Sequence, residues 1–167
     1  HGVHEGYYRY KRHMTLHARK VFFLKAAPSY WVILDWLEAD GENNYHAYFH
    51  GVVPGRIDGK VIRLEREGTT LSIVPPQGDL VTLEQIQSPG LAAYIAEKGI
   101  DPEQYPCFAY ARRAASTCFA WVLAPGTPPA VTRLPVTVNG ESADDHAAVA
   151  LEIALPGCTD TLCVSHL

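Results

Sequence analysis

Apolar and polar residues alternate along much of this chain with the two-residue period of a strand. Over residues 14–24, rich in β-forming residues, Met14, Leu16 and Ala18 alternate with Thr15, His17 and Arg19. Residues 30–37 follow as a nearly continuous apolar run, the pattern of a strand covered on both faces. Ala39-Asp40-Gly41 predicts a turn, after which Tyr45, Ala47 and Phe49 share one face and His46, Tyr48 and His50 the other. These three segments read as a meander.

The same logic carries the chain onward. Asp58-Gly59 predicts a turn into a strand over 60–65, with Ile62 and Leu64 on one face and Val61, Arg63 and Glu65 on the other. Arg66-Glu67-Gly68 turns it into 69–74, which Pro75-Pro76 ends. The middle differs: Ser88-Pro89-Gly90 precedes a short helix predicted over 91–98 and closed by Gly99. Segments 108–110 and 116–123 return to strand. Residues 136–138, an Asn139-Gly140 turn and 147–155 supply the closing strands. The expected fold is all-β, an antiparallel β-sandwich with one short helix, formed as a single domain over 1–167.

Composition narrows the class of function. With 47% apolar and 19% charged residues the chain is globular rather than disordered. A net charge of −4 gives no reason to expect nucleic acid. No apolar run approaches the roughly 18 residues of a membrane-spanning helix, so no membrane partner is expected. The first residue is His1 rather than Met, which suggests a processed protein or a C-terminal fragment of a larger chain.

The four cysteines, Cys107, Cys118, Cys158 and Cys163, lack C-x-x-C spacing, so a zinc ribbon is not expected. A hairpin at Arg112-Arg113 would bring Cys107 opposite Cys118, and Cys158 and Cys163 form a second conceivable pair. Buried free thiols are the favoured reading.

The eight histidines invite a search for a base or a metal site. His13 and His17 are four apart, as are His46 and His50, which on a strand separates each pair by about 13 Å. Neither pair chelates one ion alone; a site would have to combine His17 with His46 or His50 across strands. The stretch from His4 to His13 mixes tyrosines with Arg9, Lys11 and Arg12, a chemistry suited to stacking on sugars and pairing with carboxylate or sulfate. Nucleophile-elbow, zincin and phosphate-loop signatures are missing. Asp35, inside an apolar strand, needs a neighbouring backbone or arginine partner.

The order of segments resembles the C-terminal half of bacterial heparinase II/III-like proteins, a polysaccharide lyase family. The segments are Val3-His4-Glu5-Gly6-Tyr7, then Leu16-His17-Ala18-Arg19-Lys20-Val21, then Tyr30-Trp31-Val32-Ile33-Leu34-Asp35. Tyr48-Phe49-His50 with Pro54, and Phe119-Ala120-Trp121-Val122-Leu123-Ala124-Pro125, extend it. Glu5 and Ala18 stand where that family more often has Asp and Arg.

The resemblance implies a β-sandwich that follows a helical toroid and serves β-elimination on uronate-containing glycans. The family's catalytic Tyr and His and its metal ligands lie upstream, so this chain is expected to hold no catalytic residue, metal ligand or cofactor, any divalent metal belonging to the parent. His4, Tyr7, Arg9, His17 and Arg19 are the expected substrate-binding residues. The implied partners are an acidic polysaccharide and the N-terminal helical domain of the same parent, with a periplasmic or secreted location if the parent is a lyase. The alternative is a stand-alone carbohydrate-binding module for acidic glycans; a third reading is a structural or oligomerisation domain.

Overall fold

A computed structural model describes residues 2–4, 15–25, 27–87, 92–101 and 105–166. The fold is all-β and antiparallel, with one short helix, α1 (Ala92–Lys98). The largest sheet contains β1 (Gly2–His4), β2 (Thr15–Leu24), β3 (Tyr30–His50), β4 (Gly55–Asp58), β5 (Val61–Arg66), β6 (Thr69–Val74), β7 (Thr82–Ile86) and β8 (Cys107–Pro125). Its order is β1-β2-β3-β8-β6-β5-β4, with β7 also paired to β8. A three-stranded sheet is formed by β9 (Ala130–Leu134), β12 (Ala148–Leu155) and β13 (Cys158–Ser165), with β12 central. Between them β10 (Val136–Val138) and β11 (Glu141–Ala143) make a hairpin, turned at Asn139-Gly140 with both residues at positive φ.

Two cores follow from the period of two. Val32, Leu34 and Trp36 of β3, with Ala120 and Val122 of β8, pack against Val131, Val149, Leu151 and Ile153 of the smaller sheet. That is the sandwich interface. The other face of the large sheet holds a second core of Ile62, Ile73, Phe108, Tyr110, Phe119 and Trp121. Of residues 30–37, Tyr30, Val32, Leu34 and Trp36 enter the sandwich core, while Ile33 and Leu37 pack against the second core from the other face. The layers are tied by polar contacts as well. Tyr30 Oη donates to Asp160 Oδ2 at 2.6 Å, and Arg133 grips Asp79 through Nε and Nη2 at 3.1 and 2.9 Å.

The turn predicted at Ala39-Asp40-Gly41 does not form, nor does the hairpin at Arg112-Arg113 that would have paired Cys107 with Cys118. Ala39-Asp40-Gly41 lies inside β3, and Arg112-Arg113 inside β8, so each apparent pair of strands is one long strand. The meander expected there is replaced by a single long β3–β8 ladder with a register shift. Glu38 faces Ser116 and Asn43 faces Ala114, so residues 39–42 are accommodated opposite Ala115 alone. This bulge changes which residues of β8 face the second core, from Phe119 and Trp121 to Phe108 and Tyr110, while β3 keeps Leu37, Tyr45 and Phe49 on that side. Local turn propensity yields to a register that buries both halves.

The long β8 also decides the cysteines. Cys107 and Cys118 are eleven positions apart on one strand, about 36 Å at ~3.3 Å per residue. Cys158 and Cys163 are likewise separated along β13, by about 16 Å. Both separations far exceed the roughly 7 Å between Cα atoms that a disulfide tolerates. All four are free thiols, Cys107 and Cys118 buried, Cys158 and Cys163 exposed. The strand β13 is absent from the sequence-based expectation, although the Pro156-Gly157 step between Leu155 and its partner Cys158 carries a two-residue turn signal.

Candidate functional site

The site grows out of the pairing of β2 with β3. Arg19 lies directly opposite Asp35 and His17 opposite Leu37, so His17, Arg19 and Asp35 project from one face. Arg19 donates from Nε to Asp35 Oδ1 at 2.5 Å and from Nη2 to Oδ2 at 2.8 Å. His17 Nε2 lies 2.8 Å from the same Oδ1. A carboxylate can only accept there, so in neutral His17 the proton sits on Nε2 and Nδ1 is left as an acceptor. The partner that Asp35 needs is thus an arginine, with a histidine beside it.

Burial opposes ionisation of Asp35, but the hydrogen bonds from His17 and Arg19 and the charge of Arg19 outweigh it, and the carboxyl is held below its ordinary range. The same bonds raise the guanidinium of Arg19. With both oxygens engaged, Asp35 acts as an anchor that fixes Arg19 and His17 rather than as a free base. Phe119 of β8 faces Asp35 from the other side and screens it from water.

The bulge shapes what lies next to this trio. Among the described residues, pairing of β2 with β3 begins at Thr15–Ala39 and β3 runs on beyond it, which leaves a notch between the start of β2 and the far half of β3. Tyr45 Oη donates to Ala115 O at 2.8 Å and pins the bulge, while Asn43 Nδ2 donates to Gly41 O at 3.1 Å. The resulting concavity of about 380 Å³ is lined by Thr15, His17, Arg19, Asp35 and Leu37 from one side and by residues 43–48 from the other. Its lining mixes amide, imidazole, guanidinium and aromatic groups, which suits a polar ligand with some apolar surface.

Of the residues expected to bind substrate, His17 and Arg19 come together through Asp35. His4 is placed by its backbone opposite His17 on the edge strand β1. Tyr7 and Arg9 lie outside the described residues, as does His13. His46 lines the same concavity as His17 and stacks on Tyr48, with ring centroids 6.0 Å apart. His50 lines a separate depression with Gly51 and Leu64. Among the described residues no group of three or more His, Cys, Asp or Glu is placed to hold a metal ion. The contributions of Asn43, Asn44 and Tyr45 escape a reading of the sequence, because the segment reads locally as the aftermath of a turn.

No family model matches the sequence, and no curated protein is similar to it at a significant level. The fold, in contrast, is shared with solved lyases. A mutant of heparan sulfate lyase HepC from Pedobacter heparinus superposes with a TM-score of 0.66 at 14% identity, over 92% of this chain and 24% of that one. HepC itself gives 0.60 at 14% identity, over 93% and 26%. A heparinase III, the BT4657 gene product, gives 0.53 at 12% identity, over 90% and 24%. This chain has a heparinase-like β-sandwich fold and spans about a quarter of the length of those lyases.

Proposed function

We propose that this chain is the β-sandwich portion of a polysaccharide lyase acting on uronate-containing glycans, and that it lines the glycan cleft rather than supplying the reacting groups. The fold shared with HepC over 92% of the chain is the observation that carries the reading. β-Elimination needs the uronate carboxylate neutralised, a base to take the α-proton and an acid to protonate the leaving oxygen. In the notch, Arg19 is anchored by Asp35 and half exposed, which suits it to orient an anionic sugar group. Asp35, held ionised by two partners, is poorly suited to proton transfer. In this reading the chain carries no cofactor of its own, and the helical domain of the same parent is its partner.

The experiment is an eliminase assay of the isolated chain on heparin, heparan sulfate and alginate. No ultraviolet-absorbing unsaturated product is expected, and its appearance would overturn the reading. A second reading, a carbohydrate-binding module, is favoured by the gathering of His17, Arg19 and His46 around one concavity. Titration separates the two: weak binding of acidic oligosaccharides fits a cleft wall, tight saturable binding a module.

A further inference from the structure

The face that carries Arg19 and Asp35 continues for two more rows of the β2–β3 ladder. Val21 faces Ile33 and Phe23 faces Trp31, so these side chains project on the same side as the ion pair. Phe23 and Trp31 are stacked, their centroids 4.7 Å and their planes 16° apart. Both rings stay open to solvent, Phe23 at 47% and Trp31 at 40%, and Val21 is 53% exposed. On the inner side Trp31 lies against Leu123 of β8, which anchors the pair to the second core. On the outer side β1 pairs only with residues 17–19 of β2, so among the described residues no strand covers Phe23.

An aromatic pair held rigid at a sheet edge is an apolar surface with a definite shape. Its neighbour along the strand is polar. Arg19 lies four residues from Phe23, about 13 Å along β2. The bonds to Asp35 use Nε and Nη2, and the side chain remains half exposed. Since Asp35 compensates the charge of Arg19, an anion at this point is attracted only modestly, and affinity has to come from a second contact.

A protein partner is too large for the patch, because a stable interface engages roughly 20–30 residues a side, whereas Val21, Phe23 and Trp31 match single sugar rings. A pyranose has one face of C–H groups that lies flat on an aromatic ring and a rim of hydroxyls that stays in water. We propose that Phe23, braced from its inner side by the stacked ring of Trp31, offers its outer face as a platform to one sugar ring of an acidic oligosaccharide whose carboxylate or sulfate group is held at Arg19. This rests on the reading that the notch contacts an acidic glycan, and adds to it a second subsite and a minimum ligand length.

Length dependence is the signature. Heparan sulfate disaccharides and hexasaccharides are titrated calorimetrically against the 167-residue chain and its variants. The wild-type chain binds the hexasaccharide about tenfold more tightly than the disaccharide, the gain of one stacking contact. In Trp31→Ala that ratio falls to near one, and in Trp31→Phe it is kept. Should Trp31→Ala fail to fold, Phe23→Ser at the outer edge gives the same readout. A wild-type ratio retained in the alanine variant overturns the platform while leaving the notch reading intact. No binding at any length overturns both. Self-association of the wild-type chain that Trp31→Ala abolishes, seen by sedimentation, also overturns the platform, since the face then belongs to a second copy.

Discussion

Arg19 and Asp35 face each other across adjacent strands, and one guanidinium binds both oxygens of a carboxylate whose side chain is only 3% exposed. The asymmetry in burial makes the two halves of the pair unequal. Arg19→Ala leaves a buried carboxylate with His17 as its one side-chain partner among the described residues, and should cost about 2–4 kcal/mol. Asp35→Asn leaves an arginine that can swing into water, and should cost about 1–2 kcal/mol. Urea denaturation of the two variants checks the order; equal losses would show that Asp35 is solvated in the native state.

The lowered pKa of Asp35 links this pair to pH. A carboxyl more acidic when folded than when unfolded stabilises fully above its unfolded value, about 3.9, and that stabilisation is lost as pH falls through the lower folded value. The stability difference between wild type and Asp35→Asn should therefore be constant near neutrality and shrink in acid. Denaturation midpoints at pH 7 and pH 3 read this directly, and a difference that grows in acid contradicts it.

Thiol reactivity should split the cysteines into two classes. Cys158 and Cys163 are exposed and should react rapidly with an aromatic disulfide reagent. Cys107 and Cys118 are buried, and burial pushes both thiols up, so they should react only on unfolding. Two equivalents in the native chain and four in denaturant are expected without any reductant. Fewer than four in denaturant would reveal a bond that the strand spacing forbids.

The second core is tight around Gly55. A Cβ there would meet Leu64 Cδ2 at 2.6 Å, Phe108 Cζ at 3.0 Å and the carbonyl oxygen of Arg63 at 3.1 Å. Gly55→Ala should lower stability by about 1–3 kcal/mol through overpacking. At Gly41, in the bulge, an added Cβ would meet nothing within 4 Å, so Gly41→Ala should be close to neutral. Thermal melts of the two variants compare the sites under the same conditions.

Much of this molecule is legible in its alternation. Which faces of residues 15–24 and 30–37 carry His17, Arg19 and Asp35 follows from the period of two, and so does the burial of Ile62. The short helix and the Asn139-Gly140 hairpin follow from turn and capping chemistry that acts within a few residues. The need of Asp35 for a cationic partner follows from the cost of burying a charge alone. These are local facts or rules of solvation, and the order of residues is enough to state them.

What tertiary structure alone decided is where strands stop and which strands meet. Ala39-Asp40-Gly41 carries a turn signal, but pairing along the whole of β3 and β8 satisfies the backbone and fills two cores at once. That long-range gain outweighs a local preference for turning, and the surplus residues are absorbed as a bulge. The bulge then creates the notch and joins Asn43 and Tyr45 to His17 and Arg19, while the unbroken β8 keeps Cys107 far from Cys118. A register is a relation between segments distant in sequence, so no stretch of the chain read by itself contains it.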